Sequence, residues 1–165
     1  MTVLRIVSYP DPVLAQPGAE IAEFDEALRQ LSDDMFETMY AAQGVGLAAH
    51  QIGRALRMFV MDCEETKLVA VNPEIVFEDG EQLSEEGCLS VGSVFVPVRR
   101  SDYVGIRAKD LSGTDFEFEG RGLVARCLQH EIGHLNGRLF IDGLSSLKRE
   151  MVLRKFRKAV KRDLE

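Results

Sequence analysis

His130-Glu131-Ile132-Gly133-His134 sets two imidazoles and a carboxylate in an H-E-x-x-H pattern. On a helix, residues four apart lie one turn above each other, with Cβ atoms about 5–6 Å apart. Two imidazoles so placed can grip one metal ion, with Glu131 beside them as general base. The chemistry this predicts is metal-dependent hydrolysis. The plainer alternative is a helix with two hydrogen-bonded histidines and a surface glutamate. Leu123, Val124, Cys127, Leu128 and Leu135 make the other faces of the segment apolar. The helix is therefore expected in the core, where two histidines need polar partners and a metal supplies one.

A hydrolytic metal site needs a third protein ligand and one open position. Downstream of His134 the carboxylates begin only at Asp142, and the one other histidine is His50. The three cysteines offer better ligands. Cys88 lies in Glu86-Gly87-Cys88-Leu89-Ser90, a turn-like stretch between strands, and Cys63 sits at a strand end. Cys127 precedes His130 by one turn, but one helix cannot easily present positions 127, 130 and 134 to a tetrahedral ion. It reads as a packing residue in the pocket wall. A further stretch, Gly44-Val45-Gly46-Leu47-Ala48-Ala49-His50-Gln51, is built of small residues that let another backbone approach closely. Its glycines do not follow a strand and open a helix, so it is no nucleotide loop, and alone it reads as a helix stop.

The elements that must position these residues follow from periodicity. Leu28, Leu31, Met35 and Met39 recur at helical spacing and predict a first helix over residues 25–42, ended by Gln43-Gly44. Short apolar or alternating runs predict strands at residues 57–61, 67–71, 74–77, 95–98, 103–107 and 115–119. Glu78-Asp79-Gly80 and Leu111-Ser112-Gly113-Thr114 read as turns between them. A second helix fits residues 122–135 and stops at Asn136-Gly137; a third fits 146–163, capped by Ser145 or Ser146. Tyr9-Pro10-Asp11-Pro12 is expected to be extended. Strands clustered between helices indicate an α+β fold, with small antiparallel sheets around a central H-E-x-x-H helix and a C-terminal helix beyond it.

At 165 residues, 45% hydrophobic and 28% charged, the chain reads as one soluble domain, residues 1–165. No apolar run approaches a membrane span, and Met1–Arg5 does not open a secretory leader. An odd, small set of cysteines fits a reducing, cytoplasmic compartment. The net charge is −7, yet residues 148–165 hold eight Lys or Arg against three Asp or Glu, a net +5 that leaves −12 on the rest. The acidic body argues against sequence-specific nucleic-acid binding. The basic tail reads as the solvated face of the last helix, with Leu147, Met151, Leu153 and Phe156 toward the body.

Taken together, G-x-G-L-A-A-x-Q (44–51), E-G-C-L-S (86–90) and Q-H-E-x-x-H-L-x-G (129–137) are far more specific than any one of them. In this order and spacing the chain resembles the peptide deformylase family, over nearly its whole length. The resemblance implies a metal-dependent hydrolase that removes the N-formyl group from formyl-methionine on nascent chains and releases formate. It implies Cys88, His130 and His134 as metal ligands, Glu131 as general base, and Gln51 with the Leu89 N–H as oxyanion donors. It implies that the Val45-Gly46 backbone pairs with the peptide, and that Val45, Leu123, Cys127 and His130 hold the methionine side chain. The implied ion is Fe2+, with Zn2+, Ni2+ or Co2+ able to occupy the site; the donor set alone favours zinc. A ribosome contact through the basic C-terminal helix is a further implication.

Three positions depart from the family pattern: His50 and Gly92, where proline is common, and Gly133, where aspartate is usual. The loss of a carboxylate at 133 is expected to leave a basic residue such as Arg100 without its partner. His50 is expected to be a turn histidine without a role. The competing readings are a hydrolase of another amide or other formyl peptides, and a catalytically weak metal-binding domain that holds chain ends or a ribosomal partner.

Overall fold

The computed structural model describes residues 2–92 and 94–164; Met1 and Glu165, the outer ends of the leader reading and the basic tail, lie outside the described residues. Helix α1, Glu26–Ala41, starts where the Asp25 carboxylate accepts from the Leu28 N–H at 3.0 Å, an N-cap bond that satisfies one free donor of the first turn. It buries Leu28, Leu31, Met35 and Met39, the four apolar positions at helical spacing. Helix α2, Gly122–Leu135, carries the H-E-x-x-H residues. It is buried on nearly every side, including Arg126, Gln129, Glu131 and His134.

Helix α3, Ser146–Leu164, buries Val152, Leu153 and Phe156, but Leu147 is 72% and Met151 53% exposed. The expectation that Leu147 and Met151 face the body is thus corrected. At about 100° per residue those two fall on the side of the helix opposite Val152, Leu153 and Phe156.

The strands are β1 (Gly46–Ala48), β2 (Met58–Cys63), β3 (Thr66–Asp79), β4 (Gln82–Glu86), β5 (Val96–Arg100), β6 (Tyr103–Lys109) and β7 (Asp115–Arg121). They form a five-stranded antiparallel sheet in the order β1-β2-β3-β6-β7 and a two-stranded sheet, β4-β5. The runs expected at 67–71 and 74–77 are one strand. Register shifts between Val71 and Glu74, and between Ile75 and Phe77, absorb Asn72-Pro73. Asn72 has φ +51°, and its side-chain amide brackets the Ile21 backbone with two 2.9 Å bonds.

Alternation along β2 supplies both faces of the large sheet. Phe59 and Met61 pack with Leu128, Ile132 and Leu135 of α2, whereas Met58 and Val60 pack with Met35 and Met39 of α1. A third cluster joins Cys88, Val91, Val94 and Val98 to Phe140, Ile141 and the buried face of α3. The architecture is α+β. No described helix is long and apolar enough to cross a membrane.

Candidate metal centre

Two sequence-distant segments meet on the polar face of α2. His130 and His134 come from the helix, with ring centroids 4.9 Å apart, and Cys88 comes from the loop after β4. One ligating atom from each lies within 4.8 Å of the others, and Cys88 Sγ is 3.4 Å from His134 Nε2. The donor set of one thiol and two imidazoles suits a divalent ion such as zinc or iron. Glu131 Oε1 and His134 Nδ1 are buried and have no hydrogen-bond partner among the described residues. The orphaned Glu131 oxygen beside this thiol and two imidazoles is a group that a neighbouring ion would satisfy, so the residues fit a metal.

His130 is aimed by Glu86, whose Oε1 lies 2.6 Å from His130 Nδ1 and leaves Nε2 for the cluster. Glu86 is 6% exposed and is held by two arginines. Arg100 contacts both of its oxygens, at 2.6 and 3.1 Å, and Arg126 Nη1 lies 2.5 Å from Oε2. Arg126 also donates to the Val98 carbonyl at 2.8 Å. Burial alone would raise the Glu86 pKa; the bonds from His130 and Arg100 outweigh it and hold the carboxyl down at about 2. Burial likewise works against a charged His130, but Cys88 and Glu86 beside it hold its pKa well above the usual value. Around His134, burial and then the neighbouring His130 push the pKa well down.

The expectation that Arg100 lacks a partner is corrected: its partner is Glu86, not a side chain at position 133. A Cβ at Gly133 would meet only the Arg138 carbonyl, at 3.9 Å. His50, expected to have no role, is completely buried in the turn Ala49–Ile52, with Nε2 2.7 Å from the Gln16 carbonyl. Gly92 sits at φ +66°, which proline cannot adopt.

Glu131 lies between the cluster and β1. Burial pushes its pKa up to about 7. A Cβ at Gly46 would overlap Glu131 Oε2, so only glycine at 46 leaves this carboxylate its place. Gln51 is oriented by its Oε1, which accepts from the Ala48 N–H at 3.0 Å. Its Nε2 then points at Cys88 Sγ (3.6 Å) and Ser90 Oγ (3.3 Å). Leu89 opens a 3-10 turn, so its N–H has no partner within that turn.

In front of these groups lies a cavity of about 290 Å³, lined among others by Val45, Gly46, Gln51, Cys88, Leu89, Leu123, Cys127, His130 and Glu131. β1 is an edge strand with β2 on one side only. The Val45 carbonyl is taken by the Asp62 N–H at 2.9 Å, so by alternation the Gly46 backbone groups point outward. Cys63 lies outside the cluster, on β2 in the core with Cys127; neither is in a disulfide. The sequence reasoning did not single out Glu86, Arg126 or Phe95. Phe95, 61% exposed, lines the cavity and packs over Gly87, where a Cβ would meet its ring at 2.6 Å.

The Polypeptide deformylase family profile matches residues 3–150. The chain is 50% identical to the peptide deformylase of Acidobacterium capsulatum over 163 residues, covering 96% of each chain. It is 47% identical to that of Alkalilimnicola ehrlichii over 165 residues, 98% of this chain and 93% of the relative. Among solved structures it is similar to a peptide deformylase from Legionella pneumophila, with TM-score 0.95, 47% identity and 99% of both chains covered. It is also similar to one from Ehrlichia chaffeensis in complex with actinonin, with TM-score 0.89, 40% identity, and 96% and 98% covered.

The Glu86 cluster predicts a specific acid response. A folded pKa of about 2 against an ordinary 4.5 means that Glu86 stabilises the fold fully above about pH 4.5, and that this is lost as pH falls toward 2. Glu86→Gln should flatten that acid limb in unfolding titrations of the metal-free protein. At neutral pH it should cost about 3–5 kcal/mol, because Arg126 loses its buried counter-charge. An unchanged acid limb would contradict the assignment.

Proposed function

This chain belongs to the peptide deformylase family, and from that membership we propose that Cys88, His130 and His134 hold the metal with which it removes the N-formyl group of formyl-methionine on nascent chains, releasing formate. The observation that carries this reading is the meeting of one cysteine and two histidines beside the Glu131 carboxylate, at the back of a cleft. The bound metal supplies Lewis acidity that lowers the pKa of a water and polarises the formyl oxygen.

The chain's own residues do the rest. Glu131, with its pKa near 7, accepts the proton of the attacking water and passes it to the departing amine nitrogen. Gln51 Nε2 and the Leu89 N–H donate to the formyl oxygen as it takes on charge. The Val45-Gly46 stretch takes the extended peptide as an added strand along the free edge of β1, through the outward backbone groups of Gly46. Val45, Leu123, Cys127 and the His130 ring enclose the methionine side chain.

We assign these roles to one catalytic domain, residues 1–165, working in the cytoplasm on ribosomal products. Three free cysteines are in keeping with a reducing compartment. The ion we assign is Fe2+, on the resemblance, with Zn2+, Ni2+ or Co2+ as substitutes. We also assign the basic face of α3 to ribosome contact: Lys148, Arg149, Arg154, Lys155, Arg157, Lys158, Lys161 and Arg162 are all exposed.

Turnover of formyl-Met-Ala-Ser by the anaerobic iron-loaded protein tests the main reading. Glu131→Gln should retain metal and lose about 10²–10⁴ in kcat; no turnover by fully metallated wild type would overturn it. Exposure to air should inactivate the iron form, by oxidation of iron or of Cys88, faster than the cobalt form. Gly46→Ala should lower kcat about 100-fold or more, since a displacement of about 1 Å at a reacting group costs that much, and should change the thermal midpoint little. Lys155→Glu with Lys158→Glu should reduce salt-sensitive co-sedimentation with ribosomes and leave tripeptide turnover intact.

A further inference from the structure

Beside the metal cluster, two buried imidazole nitrogens lack partners among the described residues, and their chemistry is complementary. They are His50 Nδ1 and His134 Nδ1. His50 Nε2 lies 2.7 Å from the Gln16 carbonyl oxygen. A carbonyl only accepts, so Nε2 carries the ring proton and Nδ1 of the neutral ring is an acceptor. In His134 it is Nε2 that joins the cluster, 3.4 Å from Cys88 Sγ. A nitrogen that gives its lone pair to a metal leaves the ring proton on the other nitrogen, so His134 Nδ1 is a donor.

The backbone wedges His50 against the helix that carries His134. The Gly18 N–H donates to the Leu135 carbonyl at 2.8 Å. A Cβ at Gly18 would lie 2.9 Å from His50 Cε1, and one at Gly137, just past α2, would lie 2.7 Å from the Ala15 carbonyl oxygen. The segment Ala15–Gly18 is therefore pressed onto the C-terminal end of α2, with the His50 ring enclosed beneath it. His50 also immediately precedes Gln51, whose amide faces Cys88.

The His50 ring is near enough to bear on the charge of His134. We propose that His50 is a positioning residue for the metal centre: its Nδ1 accepts the His134 Nδ1–H through one bridging water molecule. A hydrogen-bonded chain then runs from the Gln16 carbonyl through His50 to His134. It fixes the tautomer and ring plane of His134, as Glu86 does for His130. Metal-binding histidines generally need such a partner on the second nitrogen, and its loss weakens metal affinity about 10–100-fold. The proposal rests on the reading of Cys88, His130 and His134 as ligands.

Two variants separate positioning of His134 from simple support of the Gln16 segment. Asparagine at 50 places an amide oxygen near the position of Nδ1 but cannot reach Gln16; glutamine reaches Gln16 but offers no acceptor at Nδ1. Co2+ is the probe, with affinity read by chelator competition and ligand geometry by the visible absorption of the bound ion. His50→Gln should bind Co2+ about 10-fold or more weakly and change its absorption spectrum, whereas His50→Asn should stay within about threefold of wild type. Equal losses in both variants, no loss in either, or a loss only in His50→Asn would overturn the proposal.

Wild type itself provides the second measurement, independent of how the variants fold. In the Zn2+-loaded protein, ¹⁵N spectra of the histidines should show His50 protonated at Nε2 and bare at Nδ1, and a proton on His50 Nδ1 would overturn the proposal. His134→Ala binding Co2+ as tightly as wild type would instead refute the ligand reading, and the proposal with it. Normal loss in His134→Ala with no loss in His50→Gln would refute the proposal alone.

Discussion

One buried carboxylate ties the site to the fold. Glu86 comes from β4, yet its contacts reach α2 through Arg126 and His130 and β5 through Arg100. A lone buried carboxylate is expensive to desolvate, and a buried pair is only as good as its geometry. Here both oxygens are occupied by charged or imidazole donors, at 2.5 to 3.1 Å. Small displacements of the β4-β5 hairpin from α2 would uncouple all of them together, so the hairpin has essentially one place to dock. Cys88 follows Glu86 by two residues. The same docking that satisfies the carboxylate therefore delivers the thiol to the two histidines.

The cluster divides labour between two carboxylates by environment. Glu86 is held down near 2 by its donors, while Glu131 is pushed up to about 7 by burial. The first stays an anion across the neutral range and orients His130; the second can exchange a proton near neutral pH. Groups whose surroundings drive their pKa values apart are the usual basis for distinct roles among like side chains. The backbone enforces the separation. The carboxylate of Glu131 occupies the space that a side chain on Gly46 would fill, which also keeps it against the edge strand where a peptide would lie.

Much of this was legible in the sequence because it rests on local periodicity. The H-E-x-x-H spacing put His130, Glu131 and His134 on one helix, α2, and helical spacing in 25–42 found α1 with the right buried face. β1 and β4 left no such trace: the first is three residues long, and the second, Gln82–Glu86, is polar and largely exposed. The break read at Asn72-Pro73 was real, but antiparallel pairing carried β3 through it with bulges. Glu86 could not be singled out locally, since Glu81 and Glu85 stand beside it and only the docked hairpin shows which one is buried. Cys88 was assigned as a ligand only through the resemblance that the three combined motifs carry, being 46 residues from His134. The same gap produced the error at Arg100, whose partner lies 14 residues earlier, on a strand that periodicity did not reveal.

The departures at His50, Gly92 and Gly133 share a physical character. None removes a group that faces the cluster from the cleft. A Cβ at Gly133 would meet only the Arg138 carbonyl, at 3.9 Å. Gly92 uses a positive φ to turn the Cys88 loop toward Phe156 of α3, where a Cβ would come within 3.2 Å of the ring. That loop is thereby fitted to α3 by backbone geometry rather than by a rigid ring. His50 adds a polar ring in a place that is otherwise closed, and a buried ring with one satisfied nitrogen costs stability unless the other is used. Its retention in a fully buried position is easiest to understand if the metal centre supplies that use. The chain thus departs from the family pattern around the cluster, while Cys88, His130 and His134 still bring one ligating atom each within 4.8 Å of the others.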